Sequence, residues 1–139
     1  LVKFQSDNKY LFMAYNQTQL KQMGSLVANH EKRKFSDLIK DYEYHLSLLL
    51  KTVPQQKRNV NVIMHILGYF SKQLSAKEKA YFLDLLEQYG KQQVPVSALT
   101  SVLKLWAIRF ETEYLLSQTI FEPYPISLIT VSDSGKGRI

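Results

Sequence analysis

Apolar residues return at helical spacing along almost the whole chain, and no Asn-Gly or Asp-Gly pair separates alternating apolar runs. That pattern restricts the chain to an all-α fold, expected as a compact bundle of about five to six helices with an extended C-terminal arm. With 139 residues, 45% of them apolar, the chain is long enough to close one core, and a single domain over 1–139 is expected.

The expected helices follow from stripes and punctuation. Asp7 reads as the N-cap of a first helix reaching about Asn29, with Phe12, Met13, Leu20, Met23, Leu26 and Val27 on one face. A charged link, His30-Glu31-Lys32-Arg33-Lys34, leads to a second helix capped by Ser36 and ending near Leu50, with Leu38, Ile39, Tyr42, Leu46 and Leu49 inward. A third runs from about Arg58 to Gln73. A fourth opens on Ser75 with Glu78 three residues on, the capping-box spacing, and stops at Gly90. Pro95 suits the first turn of a fifth helix reaching Phe110. A short sixth lies around Glu113 to Gln118, before the restricted Phe121-Glu122-Pro123-Tyr124-Pro125 segment. Ile126 to Val131 is β-prone, expected either to lie along the bundle or to pair with a second copy as a homodimer arm. Residues 131–139 read as a mobile tail.

Several chemistries are excluded by composition. Without cysteine, the chain itself supplies no disulfide, thiolate nucleophile, Cys-ligated zinc or iron–sulfur cluster. Its three histidines, His30, His45 and His65, fall on different expected elements without metal-ligand spacing. No G-x-S-x-G elbow or glycine-rich phosphate loop occurs, and Asp41 and Glu43 are two residues apart on one helix, pointing to different faces. Neither a catalytic residue nor a cofactor or metal is expected. No apolar run of membrane-spanning length is present and no signal-peptide core precedes the first helix, so a cytoplasmic protein is expected. Leu1 as first residue fits a processed chain, a trimmed one or a piece of a longer polypeptide.

Charge gives the first pointer to a partner. The net charge is +6, and residues 1–79 hold 13 basic against 6 acidic side chains, whereas the remainder hold 5 and 6. A localised cationic excess attracts phosphate. On the third helix, Val60, Ile63, Ile66, Leu67, Phe70 and Leu74 fall within about 120° and face the core. Arg58, Asn61, His65, Gly68, Tyr69 and Lys72 fall within about 100° on the other side. Cations, an amide, an imidazole, a stacking ring and a glycine in one arc suit a nucleotide or an RNA backbone. The same arc also reads as a solvated face, with Tyr69 and His65 packed on a neighbouring helix. Lys57 and Arg58 coincide with a helix start, where unsatisfied N–H groups favour an anion. On the first helix Tyr10, Gln17 and Lys21 lie in line, with Gly24 beside them and Lys9 at its start.

Four blocks, in order, resemble one family. Lys9-Tyr10-Leu11-Phe12-Met13-Ala14 with Met23-Gly24-Ser25-Leu26-Val27-Ala28 resembles the opening signature of the bacterial YbgA-like domain family. Asn61 to Phe70 resembles its central helix motif. Glu78-Lys79 with Tyr89-Gly90 and Pro95 follows, and Tyr114-Leu115 with Gln118 and Pro123-Tyr124-Pro125 resembles its C-terminal block. The resemblance covers about residues 4–128. It implies a domain that occurs alone or fused to a cysteine-rich desulfidase domain carrying an iron–sulfur cluster. Those fused proteins are linked to sulfur removal from 4-thiouridine in tRNA. The resemblance therefore implies a helical module that handles tRNA or another nucleic acid, with a desulfidase domain or subunit as partner; no membrane partner is expected, since no apolar run is long enough.

The polar positions carried over are Lys9, Asn61, His65, Gly68, Tyr69 and Lys104. Departures are Tyr15 and Asn59 where His is usual, Lys21 where Arg is usual, and Leu105 at a polar, His-like position. Lost imidazoles weaken any acid–base role more than they weaken binding. The expectation is an RNA-binding accessory module, with Lys9, Lys21, Arg58 and Lys72 on phosphates, Tyr69 stacking, and Asn61 and His65 hydrogen bonding. Two other classes stay open. One is a small-nucleotide or enzymatic pocket built on His65 and Tyr69, which predicts binding with little salt dependence. The other is a docking partner for a desulfidase subunit, which predicts association without RNA affinity.

Overall fold

A computed structural model describes residues 1–121 and shows an all-α protein, with no strand among those residues. The elements are α1 (Val2–Asp7), α2 (Lys9–Tyr15), α3 (Gln17–Ala28), α4 (Phe35–Leu50), α5 (Gln56–Leu67), α6 (Ala76–Gly90), α7 (Val96–Arg109) and α8 (Glu113–Leu116), followed by a 3-10 turn, Thr119–Phe121. The expected C-terminal arm and tail lie outside the described residues.

The described helices outnumber the expected five or six because the first expected helix is three. Asp7 ends α1 rather than capping a long helix. Asn16, extended at φ −162°, accepts from Gln19 N–H and starts α3. These two breaks let α2 turn inward, where Tyr10, Phe12, Met13 and Ala14 are all buried, a larger apolar face than one straight amphipathic helix offers. The third expected helix is also shorter: α5 stops at Leu67, and Phe70 and Leu74 reach the core from the turns beyond it. Gly68 caps α5, and a Cβ there would meet the His65 carbonyl at 3.2 Å, so its lack of a side chain serves packing.

Other boundaries shift by a residue or two. Lys34, not Ser36, is the N-cap of α4, Pro95 caps α7 from outside, and α8 ends at Leu116. Gly90 is the last residue of α6, and the left-handed position falls on Gln92 at φ 59°. The Ser75–Glu78 capping box is formed in both directions, with Glu78 N–H donating to Ser75 Oγ and Ser75 N–H to Glu78 Oε1.

One core joins the helices. Val62, Ile63 and Ile66 of α5 and Leu99 and Leu103 of α7 have no exposure, and Phe70 stacks on Phe110 and meets Trp106, which in turn packs on Phe82. The expected inward faces are inward: Met23, Leu38, Tyr42, Leu49, Ile63, Ile66, Phe82 and Leu103 are buried. Helices α3 and α4 pack as a hairpin, with Arg33 of the link held by Asp41 at 2.7 Å. Helices α2 and α5 run antiparallel: Tyr10 meets Tyr69, and Tyr15 meets Arg58. No helix among the described residues is long and apolar enough to cross a membrane.

Candidate nucleic-acid interface

Residues from three distant stretches meet at the start of α2. Tyr10, Tyr69 and Tyr114 form a triangle of rings with centroids 6.4–6.5 Å apart, inside the range of favourable aromatic pairs. The Tyr10 and Tyr69 hydroxyls are hydrogen-bonded at 3.0 Å. Lys9 Nζ lies 5.4 Å from the Tyr10 centroid, within cation–π reach. Burial, followed by the hydrogen bond and charge of Tyr69, pushes the Tyr10 phenol well above its ordinary pKa; burial likewise raises that of Tyr114. The Tyr10 and Tyr114 phenols therefore stay neutral across the physiological range. Tyr10 is buried, while Tyr69 and Tyr114 keep 44% and 37% of their surface exposed, enough to offer ring area to a ligand.

Gln118 fixes this corner. Its side chain, almost fully buried, accepts from Tyr10 N–H at 3.2 Å and donates to the Ser6 carbonyl at 2.6 Å. Thr119 Oγ1 donates to Asn8 Oδ1 at 2.6 Å. The break between α1 and α2 is thus satisfied from the far end of the chain, as buried backbone groups require.

Beside the cluster a groove of about 620 Å³ runs between α1 and α3. Lys9, Lys21, Gly24, His30 and Tyr114 line it together with Leu20 and Val27. Among the described residues no carboxylate lies within ion-pair distance of Lys9 or Lys21, since Asp7 is taken by Lys3 at 2.8 Å. A second groove of about 620 Å³ lies at the other end of α2, lined by Met13, Gln17, Lys57, Arg58, Asn61 and Met64.

The expected residues divide among these places. Lys9 and Lys21 share the first groove, Arg58 and Asn61 share the second, and Tyr69 belongs to the tyrosine triangle. Arg58 has a structural task as well: Nη1 donates to the Tyr15 carbonyl at 2.6 Å, closing the C-terminus of α2, where Thr52 also donates. His65 and Lys72 are exposed and line neither groove. Lys104 is half-buried on α7, away from both linings. The packed alternative for Tyr69 holds in part, because its ring packs with Tyr10 of α2 and Tyr114 of α8 while 44% of its surface stays exposed. Gln118, Thr119 and the groove position of His30 were not anticipated as parts of the site. For Gln118 the only sequence signal was its place in the C-terminal block of the resemblance. No group of three His, Cys, Asp or Glu side chains able to hold a metal occurs among the described residues.

Comparison with known proteins fits the four-block resemblance. The family described as "Protein of unknown function (DUF1722)" matches residues 9–125. The "Uncharacterized protein YbgA" of Escherichia coli (strain K12) is 26% identical over 136 residues, covering 97% of this chain and 80% of the relative. No solved structure matches. With the match spanning nearly the whole helical region described above, the chain belongs to the DUF1722, or YbgA-like, domain family.

Proposed function

We propose that this domain is an RNA-binding module, with tRNA as its RNA, that serves thiouridine desulfuration while a cysteine-bearing partner performs the chemistry. The observation that carries the reading is the Lys9–Tyr10–Tyr69–Tyr114 corner opening onto a groove with a second lysine, Lys21, that has no carboxylate partner among the described residues. Ammonium groups fix a sugar–phosphate backbone, and exposed rings stack on unpaired bases. The second groove adds Lys57 and Asn61 along the same α2–α5 pair. The absence of cysteine from these 139 residues agrees with chemistry on another domain or subunit.

The test is fluorescence anisotropy of labelled tRNA, with and without 4-thiouridine, titrated at several salt concentrations. Binding should weaken steeply with salt, and Lys9→Ala with Lys21→Ala should lower the log–log slope by about two. Arg58→Ala is a poorer probe, because it also removes one of the two side-chain donors to the Tyr15 carbonyl. An unchanged slope in the lysine pair would remove the first groove from the footprint, and no binding at low salt would overturn the proposal.

A further inference from the structure

We propose that the groove between α1 and α3 is a receptor for one nucleoside 5′-monophosphate unit, the phosphate held by Lys9 and Lys21 and the base laid on the apolar wall beside Tyr114. The proposal rests on the nucleic-acid reading and deepens it, by naming where a single unstacked nucleotide sits. A volume of about 620 Å³ falls within the range of small-ligand sites. Leu20, Val27 and the half-exposed ring of Tyr114 supply apolar surface, and the two lysines supply cations with no carboxylate partner among the described residues. Apolar lining with a few converging polar groups is what an amphiphilic, singly phosphorylated ligand requires. Phosphate contacts alone would need no such wall.

Gly24, in the groove lining, gives one way to test it. A Cβ built there meets only Gln5 Nε2 at 3.9 Å, an ordinary van der Waals contact, so a side chain can start at this point of the groove lining without a clash. It also replaces a helical glycine by a better helix former. Adenosine 5′-monophosphate, adenosine, inorganic phosphate and a twelve-nucleotide single-stranded RNA are titrated into the wild-type chain, Gly24→Leu and Lys21→Ala, followed by calorimetry. The mononucleotide should bind the wild type at least about tenfold more tightly than either of its halves, and each substitution should weaken it at least about tenfold. Since Lys21 is exposed, its alanine variant keeps the test decisive even if Gly24→Leu misfolds.

Equal binding of phosphate alone, or mononucleotide affinity indifferent to both substitutions, would overturn the proposal. RNA binding with no mononucleotide binding would overturn it and leave the RNA module standing. Binding of neither would overturn both.

Discussion

Gln118 is the residue on which the candidate site depends most, although it touches no groove. Its amide satisfies Tyr10 N–H and the Ser6 carbonyl at the break between α1 and α2, and so aims Lys9 and Tyr10. Gln118→Ala strands the buried Tyr10 N–H and removes a donor from the half-buried Ser6 carbonyl, and should cost about 2 kcal/mol, read as a lower urea midpoint; an unchanged midpoint would mean that water replaces the amide at no cost. Tyr42 is held in a comparable way from the other side, donating to Gln5 Oε1 at 2.6 Å, and burial pushes its phenol up to about 12. At this scale the sequence was partly legible. Lys9, Lys21 and Tyr69 could be picked by residue type and helical angle, because charge and rings on a polar arc carry their chemistry with them. Gln118 could not, because its partners lie 108 and 112 residues away.

Among the elements, α6 follows its sequence signals most closely, because its start is set by contacts within four residues. The Ser75 backbone bond to Glu78, with Arg109 at 2.6 Å, holds the Glu78 carboxyl below its ordinary value. A carboxylate with a lowered pKa in the fold stabilises above its unfolded value and loses that stabilisation as pH falls through the folded one. Melting temperature should therefore fall on acidification below about pH 4.5, the ordinary value, and Glu78→Gln should flatten that part of the profile. Parallel profiles for the two proteins would contradict this assignment. Ser75→Ala should cost about 1 kcal/mol at neutral pH, measured by denaturant unfolding. The region expected to be one helix from Asp7 to Asn29 is the opposite case. Its apolar face was read correctly, with Phe12, Met13, Leu20 and Met23 all buried, yet its continuity was not. The breaks at Asn8 and Asn16 are stabilised by Thr119 and by Gln19, and only the former pairing is distant in sequence.

For the molecule as a whole, the short N-terminal helices exist because the rest of the chain covers them. Helices α1 and α2 have six and seven residues, below the length at which a helix holds in water. A peptide of residues 1–29 should show little helix by circular dichroism in buffer, whereas full helicity in isolation would mean that local propensity alone sets this region. The same dependence assembles the candidate site, since Tyr10, Tyr69 and Tyr114 meet only when α2, α5 and α8 have docked. By itself, the sequence determined the all-α class, the inward faces of the main helices, the α6 cap and the family, because these depend on period, local hydrogen bonding and residue identity. Only the tertiary structure decided where helices break, that Arg58 closes α2, that His65 stays in solvent, and that Lys9 and Lys21 share a groove with Tyr114. Those outcomes depend on which distant groups satisfy a buried N–H or carbonyl, and helical periodicity carries no record of them.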